Sequence, residues 1–297
     1  MTINVNGEPL ALEVTDSTTL GEALSAIDEL LETAGSIIVG LKVDGAELDP
    51  DRYPDIRDRP LSAVDSVDVD AQPLAAIKSK ALRTLLELVA LAGESAQTET
   101  SGDWPALAAG LDDLSDAFAG LFSADELSFV QSFADLVEKA AGAAPDGGLR
   151  AEIGAGSERL GILFKERLDE IESPVEEMHK TAALYAAQAE ELKQVPVLLQ
   201  TGKDERAMHA VLVFIEIFNK VIRLVPELRG TGLDPHSLTI GGQGLSEFYT
   251  SFNEVLKQLS TAFENKDSVL IGDLAEYEVA PRMADFFTAI EGAMEAK

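Results

Sequence analysis

The stretch SVDVDAQPLAAIKSKAL, residues 66–82, contains the point at which the chain changes its secondary structure. Val67 and Val69 alternate with polar residues, which is the pattern of a half-buried β-strand. After Pro73 the alternation stops, and apolar residues recur at the spacing of an amphipathic helix. The sequence therefore predicts an α+β fold, with β-structure before this point and α-helix after it.

The first 70 residues combine strand-like alternation, turn dipeptides and one amphipathic helix. Apolar residues alternate with polar ones on both sides of Asn6-Gly7, as far as Val14, which is the pattern of a β-hairpin. A helix capped by Thr18 or Thr19 follows, and its apolar residues are Leu20, Ala23, Leu24, Ile27, Leu30 and Leu31. A strand before the turn Asp44-Gly45 and the strand around Val67 complete the order ββαββ.

This order resembles the ubiquitin-like β-grasp fold and would cover residues 1–72. The resemblance implies a conjugated modifier, a sulfur carrier, a ferredoxin or an interaction module. Modifiers and sulfur carriers end in a Gly-Gly tail, whereas this segment passes through Ala71-Gln72-Pro73 into a helix. A ferredoxin needs cysteines, and the chain has none. An interaction module remains.

The remainder, residues 73–297, is predicted to be an α-helical bundle domain, with a possible subdivision near residues 142–150. Apolar residues recur at helical spacing throughout it, and glycine and proline mark the turns. The predicted helices are 75–91, 105–122, 124–141, 148–172, 174–193, 195–200, 205–228, 245–265 and 269–294.

A weak internal repeat appears when Asp103, Asp204 and Asp267 are aligned. Each follows an amphipathic helix and a short polar turn, and each begins another helix, so three helical hairpins are predicted. In the first two, apolar residues occur at the same offsets from the aspartate and on one helix face: Leu107, Leu111 and Leu114 beside Met208, Leu212 and Ile215. Such hairpins are predicted to bury these apolar residues by packing together into a bundle or a short array, although chance similarity between amphipathic helices explains the pattern equally well.

In composition and in its hairpins the helical part is loosely similar to flagellar-type export chaperones, which are small acidic helical bundles that bind export substrates. The resemblance implies a binder of a partner protein. No motif supports it, and no residue role is transferred.

The composition excludes several classes of partner and site. With 53 acidic and 23 basic residues the formal net charge is −30, which repels nucleic acid and anionic membrane surfaces. The absence of cysteine excludes disulfides and thiolate metal sites. The amino terminus shows no secretory signal, and the longest apolar run, residues 210–218, is too short for a membrane span. We expect a cytoplasmic protein without a cofactor.

Helical histidines near acids are the weak candidates for a metal site. Glu176 and His179 have the i, i+3 spacing used in carboxylate-bridged helical bundles, whereas Glu205 and His209 are four residues apart. A third helical histidine is missing from the sequence, so we expect solvent-facing histidines and no metal site.

The loop from Gly230 to Gly244 contains other chemically suggestive residues. His236 has Asp234 and Ser237 beside it, but sequence neighbours in one loop rarely form a catalytic triad. Gly241, Gly242 and Gly244 precede a helix, whose amides could hold an anion. Without a P-loop lysine, a plain flexible connection is the simpler interpretation.

The segment DSVLIGDLAEYEVAP, residues 267–281, groups several carboxylates. Asp267 is the predicted N-cap, and Val269, Leu270, Ile271 and Leu274 are predicted to lie in the hairpin core. Pro281 falls within the apparent helix, so a kink or a break is predicted there.

Four residues are candidates for contact with a partner: Asp273, Glu276, Tyr277 and Trp104. Asp273 and Glu276 are i, i+3 neighbours that could meet one cation, but no further ligand completes a catalytic site. Tyr277 is a candidate surface contact, and Trp104 begins a helix beside a proline.

The sequence favours a non-enzymatic adaptor, scaffold or chaperone-like protein that binds a partner protein. An apolar stripe that the fold leaves open would provide a groove for an amphipathic helix, and the small domain offers a sheet face or an edge strand. The alternatives are a carboxylate-rich metal-dependent enzyme and a self-associating structural subunit.

Overall fold

The N-terminal sheet and the helices that follow it confirm the α+β fold. The structure is a computed structural model that describes residues 1–13, 15, 18–49, 52–98 and 102–296, except for the side chains of residues 115 and 116. The chain divides into two compact units, residues 1–168 and 169–297. The domain boundary predicted at residue 72, with a subdivision near 142–150, stays a prediction.

Five strands form a mixed sheet in the first unit, in the order β2-β1-β5-β3-β4. Strand β1 pairs in parallel with β5, with Ile3 opposite Val67, while the other neighbours are antiparallel. The two edge strands contain only two residues each. The strands are β1 (Thr2–Val5), β2 (Glu8–Pro9), β3 (Ser36–Val43), β4 (Ala46–Glu47) and β5 (Ser66–Pro73).

The turn dipeptides and the helix cap act as the sequence predicts. Asn6-Gly7 and Asp44-Gly45 have positive φ angles, as the tight turns of β-hairpins require. Helix α1 (Leu20–Thr33) begins with a capping box in which Thr19 and Glu22 each accept the other's backbone N–H. Its buried residues pack with those of the sheet. The second predicted strand is shorter than expected, and Val14 lies outside the described residues.

Helices make up the rest of the first unit. A short helix α2 (Tyr53–Ile56) lies between β4 and β5, and β5 leads directly into α3. Helix α6 begins in the first unit and ends in the second. The remaining bounds are α3 (Leu74–Gln97), α4 (Trp104–Ala117), α5 (Ala124–Gly142) and α6 (Gly147–Glu172).

The second unit contains six helices and one small hairpin among its described residues. The elements are α7 (Pro174–Lys193), α8 (Val195–Gln200), α9 (Asp204–Glu227), β6 (Thr239–Ile240), β7 (Gln243–Gly244), α10 (Leu245–Glu264), α11 (Ser268–Asp273) and α12 (Ala280–Glu295). The core of this unit holds aromatic side chains of four helices, α7, α9, α10 and α12, with Phe252 in contact with Phe214, Phe218 and Phe248.

Three ion pairs fix α9 within this unit. Lys220 donates to the buried Glu177 carboxylate at 2.8 Å, and Arg223 contacts Glu170 through two bonds of 2.9 Å. At the other end of α9, Arg206 donates to Glu191 at 3.0 Å. Because Glu177 and Glu191 both belong to α7, these pairs set α7 and α9 antiparallel.

The segment 267–281 is helical from Ser268 onward. Asp267 accepts the Leu270 amide at 3.0 Å and so caps α11, as predicted. A π-helical turn, Leu274–Val279, then connects α11 to α12, and the chain remains helical through Pro281 instead of breaking. This turn ends with the Ala280 amide donating to the Ala275 carbonyl, five residues back.

Two predictions about core positions are wrong. Ile271 and Leu274 are buried, but Val269 and Leu270 are 68% and 40% exposed because they lie on the outer side of the first turn of α11. In the internal repeat, Leu107 and Leu111 are buried and Leu114 is half-buried, whereas Met208, Leu212 and Ile215 at the same offsets are exposed. The first set faces the interior of its unit, and the second set faces away from it.

Among the described residues, no helix combines the length and the apolar character that crossing a membrane requires.

Candidate functional site

Helix α9 buries one side in the core of the second unit. The side chains on this side recur every three or four residues, as expected for a core-facing helix. They are Ala207, Ala210, Val211, Phe214, Ile217, Phe218, Val221, Leu224 and Val225.

A second apolar row runs along α9 outside the core. Met208, Leu212, Ile215 and Ile222 are 44%, 52%, 41% and 45% exposed. Their spacings are four, three and seven residues, so they lie on one side of the helix. The exposed Asn219 occupies the position between Ile215 and Ile222 where the pattern would place another member. We call Met208, Leu212, Ile215 and Ile222 the α9 stripe.

The α9 stripe is a separate surface from the core-facing side. At about 100° per residue, its four positions centre roughly 120° from the middle of the buried set. Single exposed apolar residues are common, but four in a row on one helix are not scattered. A helix with two apolar sides is expected to be covered on both.

Acidic side chains border the open side of the α9 stripe. Glu205 and Glu216 are exposed there, together with His209. The three cations of α9 are held by the ion pairs described above. The α9 stripe therefore presents an apolar centre with an acidic margin.

Glu177 of α7 holds α9 through an ion pair with Lys220, outside the α9 stripe. Its side chain is 9% exposed, and it accepts hydrogen bonds from Lys180 and Lys220, both at 2.8 Å. Burial raises the pKa of this carboxyl, but the bonds from the two lysines outweigh burial and leave the pKa below its usual value. The carboxylate is thus kept charged and fixes the position of α9.

The weak metal candidates do not come together. Glu176 is paired with Lys180 at 2.8 Å and lines a shallow cavity of about 540 Å³ with His179. Glu205 and His209 lie near the start of α9, at the opposite end of the α7–α9 pair and roughly 20 Å away at about 1.5 Å per residue. Across the part of the chain that is described, no three carboxylates or histidines are placed to hold a metal ion.

The partner-contact candidates differ in accessibility. Tyr277 is 66% exposed on the π-helical turn, with the exposed Asp273 and the half-buried Glu276 near it. The hydrogen bond to Glu276 raises the pKa of Tyr277, and the Asp273 charge adds to the effect. Trp104 is only 5% exposed, which leaves little of its ring for a partner. The surface role of Tyr277, Asp273 and Glu276 stays a prediction.

The loop residues of the predicted His236 group have structural contacts. Asp234 accepts the His236 amide at 3.0 Å, and the Ser237 hydroxyl donates to the Asp234 carbonyl at 2.7 Å. Neither bond activates the serine. Gly241 and Gly242 have φ angles of 56° and 86° and form the tight turn of the β6–β7 hairpin, so these glycines connect two paired strands.

The repeat in the sequence places Met208, Leu212 and Ile215 on one helix side but predicts a hairpin core for them, and it does not include Ile222. A helical projection of residues 204–227 could have identified the α9 stripe, because it shows two separate apolar rows on α9, whereas the repeat shows only one.

The fold and this surface define a two-unit α+β protein with an exposed apolar helix in its second unit. Residues 176–288 match a domain of unknown function (DUF8042), and residues 1–73 match a family described as TP0873 N-terminal domain. The first match contains the whole α9 stripe.

An uncharacterized protein of Treponema pallidum (strain Nichols) is similar to part of the chain. The two are 30% identical over 113 residues, which are 38% of this chain and 56% of that protein. The chain thus spans about half the length of this relative. No solved structure matches the chain.

Proposed function

We propose that the protein is a non-enzymatic adaptor or scaffold that holds a helical segment of a partner protein against the α9 stripe. The four aligned, exposed apolar side chains carry this proposal. The partner segment is an amphipathic helix, because apolar residues spaced by three and four can follow the α9 stripe along its length.

Burial of the α9 stripe gives a moderate binding free energy. Complete burial of a Leu, Ile or Met side chain contributes about 1.5–3 kcal/mol. Since each side chain of the α9 stripe is already about half buried, the four together contribute roughly 3–6 kcal/mol. Part of this offsets the entropy lost on association, so a stable complex also needs contacts around the α9 stripe.

The acidic residues that border the α9 stripe indicate that these additional contacts involve basic residues of the partner. Glu205 and Glu216 border the α9 stripe, and the whole chain carries a net charge of −30. Basic residues beside the apolar row of the partner would therefore speed association and fix its orientation. A second copy of this chain would bring the same acidic margin and would be repelled, which argues against self-association through this surface.

We extend the proposal to the N-terminal sheet as a β-grasp interaction module. Helix α1 packed on a mixed sheet, with the last strand, β5, at the centre of that sheet, supports this assignment. Because each edge strand is only two residues long, the edges provide few free backbone groups for strand addition. A face of the sheet is the better candidate for contact.

Two synthetic helical peptides test the main proposal. They share one apolar row and differ only in having lysines or glutamates beside it. We expect the lysine peptide to bind and the glutamate peptide to bind at least about tenfold more weakly, as measured by fluorescence anisotropy. Equal binding of both peptides, or binding of neither, would contradict the proposal.

A matched pair of variants locates the binding surface. Leu212→Lys places a charge within the α9 stripe, whereas Leu184→Lys places the same charge on α7, where Leu184 is similarly exposed at 48%. We expect Leu212→Lys alone to weaken lysine-peptide binding by about tenfold or more. Light scattering over a concentration series detects the competing outcome, a dimer that Leu212→Lys dissociates.

A further inference from the structure

A cavity of about 400 Å³ lies between the end of α9 and the start of α10, one helical turn beyond Ile222, the last residue of the α9 stripe, and none of the four stripe residues lines it. Its apolar walls include Val225, Leu245 and Tyr249, and its polar lining includes Arg229, His236 and Ser246. The volume lies within the range of small-molecule sites, as does a mainly apolar wall with a few polar groups.

The charge of this cavity is opposite to that of the protein. Its titratable lining consists of Arg229, His236 and Tyr249, with no carboxylate, although the chain has 53 acidic residues. The cavity of about 540 Å³ contains Glu172 and Glu176, so the absence of acids is not general. The Arg229 guanidinium contacts the His236 ring, which places both side chains at one side of the cavity.

Backbone and side-chain donors add to this positive lining. Helix α10 is 20 residues long, and Gly244 at its N-cap provides no side chain to cap the first amides. These amides carry the positive end of the helix dipole. The buried hydroxyl of Tyr249 has no hydrogen-bond partner among the described residues. Burial raises the pKa of Tyr249 to about 12, so this hydroxyl keeps its proton and remains a donor.

We propose that this cavity binds a small organic anion, with its phosphate or carboxylate at Arg229, His236 and the start of α10 and its apolar body against Val225, Leu245 and Tyr249. The arginine offers several N–H donors to an oxyanion, and the apolar wall adds burial of the ligand body. Two carboxylates lie near the cavity without being among its lining residues: Asp234, which accepts the His236 amide, and Glu247, in the first turn of α10. Their charges oppose an anion, so binding depends on Arg229 and on the apolar wall.

The three histidines make the test specific. The ring signals of His179, His209 and His236 can be followed by NMR while phenyl phosphate, benzoate or neutral benzyl alcohol is added, and His236→Gln assigns the relevant signal. We expect a saturable change at His236 with one or both anions, none with benzyl alcohol, and none at His179 or His209.

A matched pair of variants completes the test. Arg229→Gln is expected to weaken binding by about tenfold or more, because it removes a charge-assisted hydrogen bond, whereas Lys257→Gln on the exposed part of α10 leaves binding unchanged. The unfolding transition of Arg229→Gln shows whether that variant is folded. The comparison of the anions with benzyl alcohol uses the unaltered protein, so it tests the proposal even if the variant is unfolded.

Two results would overturn this inference: no saturable change at His236, or an equal response to benzyl alcohol. The inference does not depend on the α9 stripe. Leu212→Lys should leave the His236 response unchanged, so failure of one proposal is distinguishable from failure of the other.

Discussion

Replacing Lys220 by methionine tests how strongly the buried carboxylate of Glu177 holds α9. The change keeps most of the apolar stem but removes the ammonium, which lies 2.8 Å from Glu177. Loss of one partner of a fully buried ion pair costs about 3–5 kcal/mol. Lys220 is 20% exposed and Lys180 still contacts Glu177, so we expect a smaller loss of about 2 kcal/mol.

The loss should depend on pH. In the unaltered protein the pKa of Glu177 lies below its ordinary value of 4.5, so its contribution is complete above pH 4.5 and disappears as the pH falls through the lowered pKa. Without Lys220, burial is opposed by Lys180 alone, and the carboxyl takes up a proton at higher pH. The difference between the two proteins should therefore shrink below about pH 4.5.

Hydrogen exchange of the α9 amides measures this loss as a free energy of opening. The single tryptophan, Trp104, lies in the first unit, so its fluorescence follows that unit separately. The control is Lys257→Met, whose pair with Glu254 is 63% and 62% exposed and should contribute no more than about 0.5 kcal/mol. The reasoning fails if both variants lose the same stability at pH 7, or if the loss for Lys220→Met does not change with pH.

Three further predictions concern the free energy of unfolding, measured in urea. Leu111→Ala should lower the unfolding free energy by about 2–5 kcal/mol because Leu111 is 1% exposed. Leu212→Ala, at the same offset in the repeat, should lower it by less than about 0.5 kcal/mol. Equal losses would mean that both residues are core positions, as the repeat predicts. Gly272→Ala should lower the unfolding free energy by about 1–3 kcal/mol, since the new Cβ would lie 2.8 Å from Cβ of Pro196 in α8. Gly154→Ala in α6, where the new Cβ would meet no atom within 4 Å, should be neutral or stabilising. Tyr249→Phe should raise the unfolding free energy by about 1 kcal/mol, because it removes a buried hydroxyl without a partner; a comparable loss would mean that the hydroxyl is satisfied.

The helices could be predicted from the sequence because local chemistry specifies them. Ser173-Pro174 marks the start of α7, and Asp267 caps α11 through its own side chain. These signals depend on residues within one turn, so neither distant packing nor the partner is needed to interpret them. The turns at Asn6-Gly7 and Asp44-Gly45 were predictable for the same reason.

The exposed surfaces could not be predicted in the same way. The spacing of Met208, Leu212 and Ile215 shows that they share a side of α9, but only tertiary packing decides which apolar side the core covers. Leu111 and Leu212 therefore have the same local pattern and opposite burial. The cavity at α10 was even less predictable, because Arg229, His236 and Tyr249 are brought together by a hairpin and two turns.

The π-helical turn follows from a pattern that extends beyond Pro281. Ile271, Ala275, Val279, Met283 and Phe287 are spaced by four residues, and all are at most 4% exposed. An α-helix advances about 100° per residue, so each step of four residues overshoots a full turn by about 40°. Four steps would rotate Phe287 about 160° from Ile271, which would place one end of the row in solvent.

A wider turn removes part of this drift. In the π-helical turn hydrogen bonds join residues five apart, so each residue there rotates less about the axis than in an α-helix. Placed between Leu274 and Val279, this turn keeps the residues before and after it directed at the same core. Pro281 lacks an N–H, so regular α-helical hydrogen bonding is weakened at this point. The four-residue spacing of the buried row explains why the chain continues as a wider helix instead of breaking.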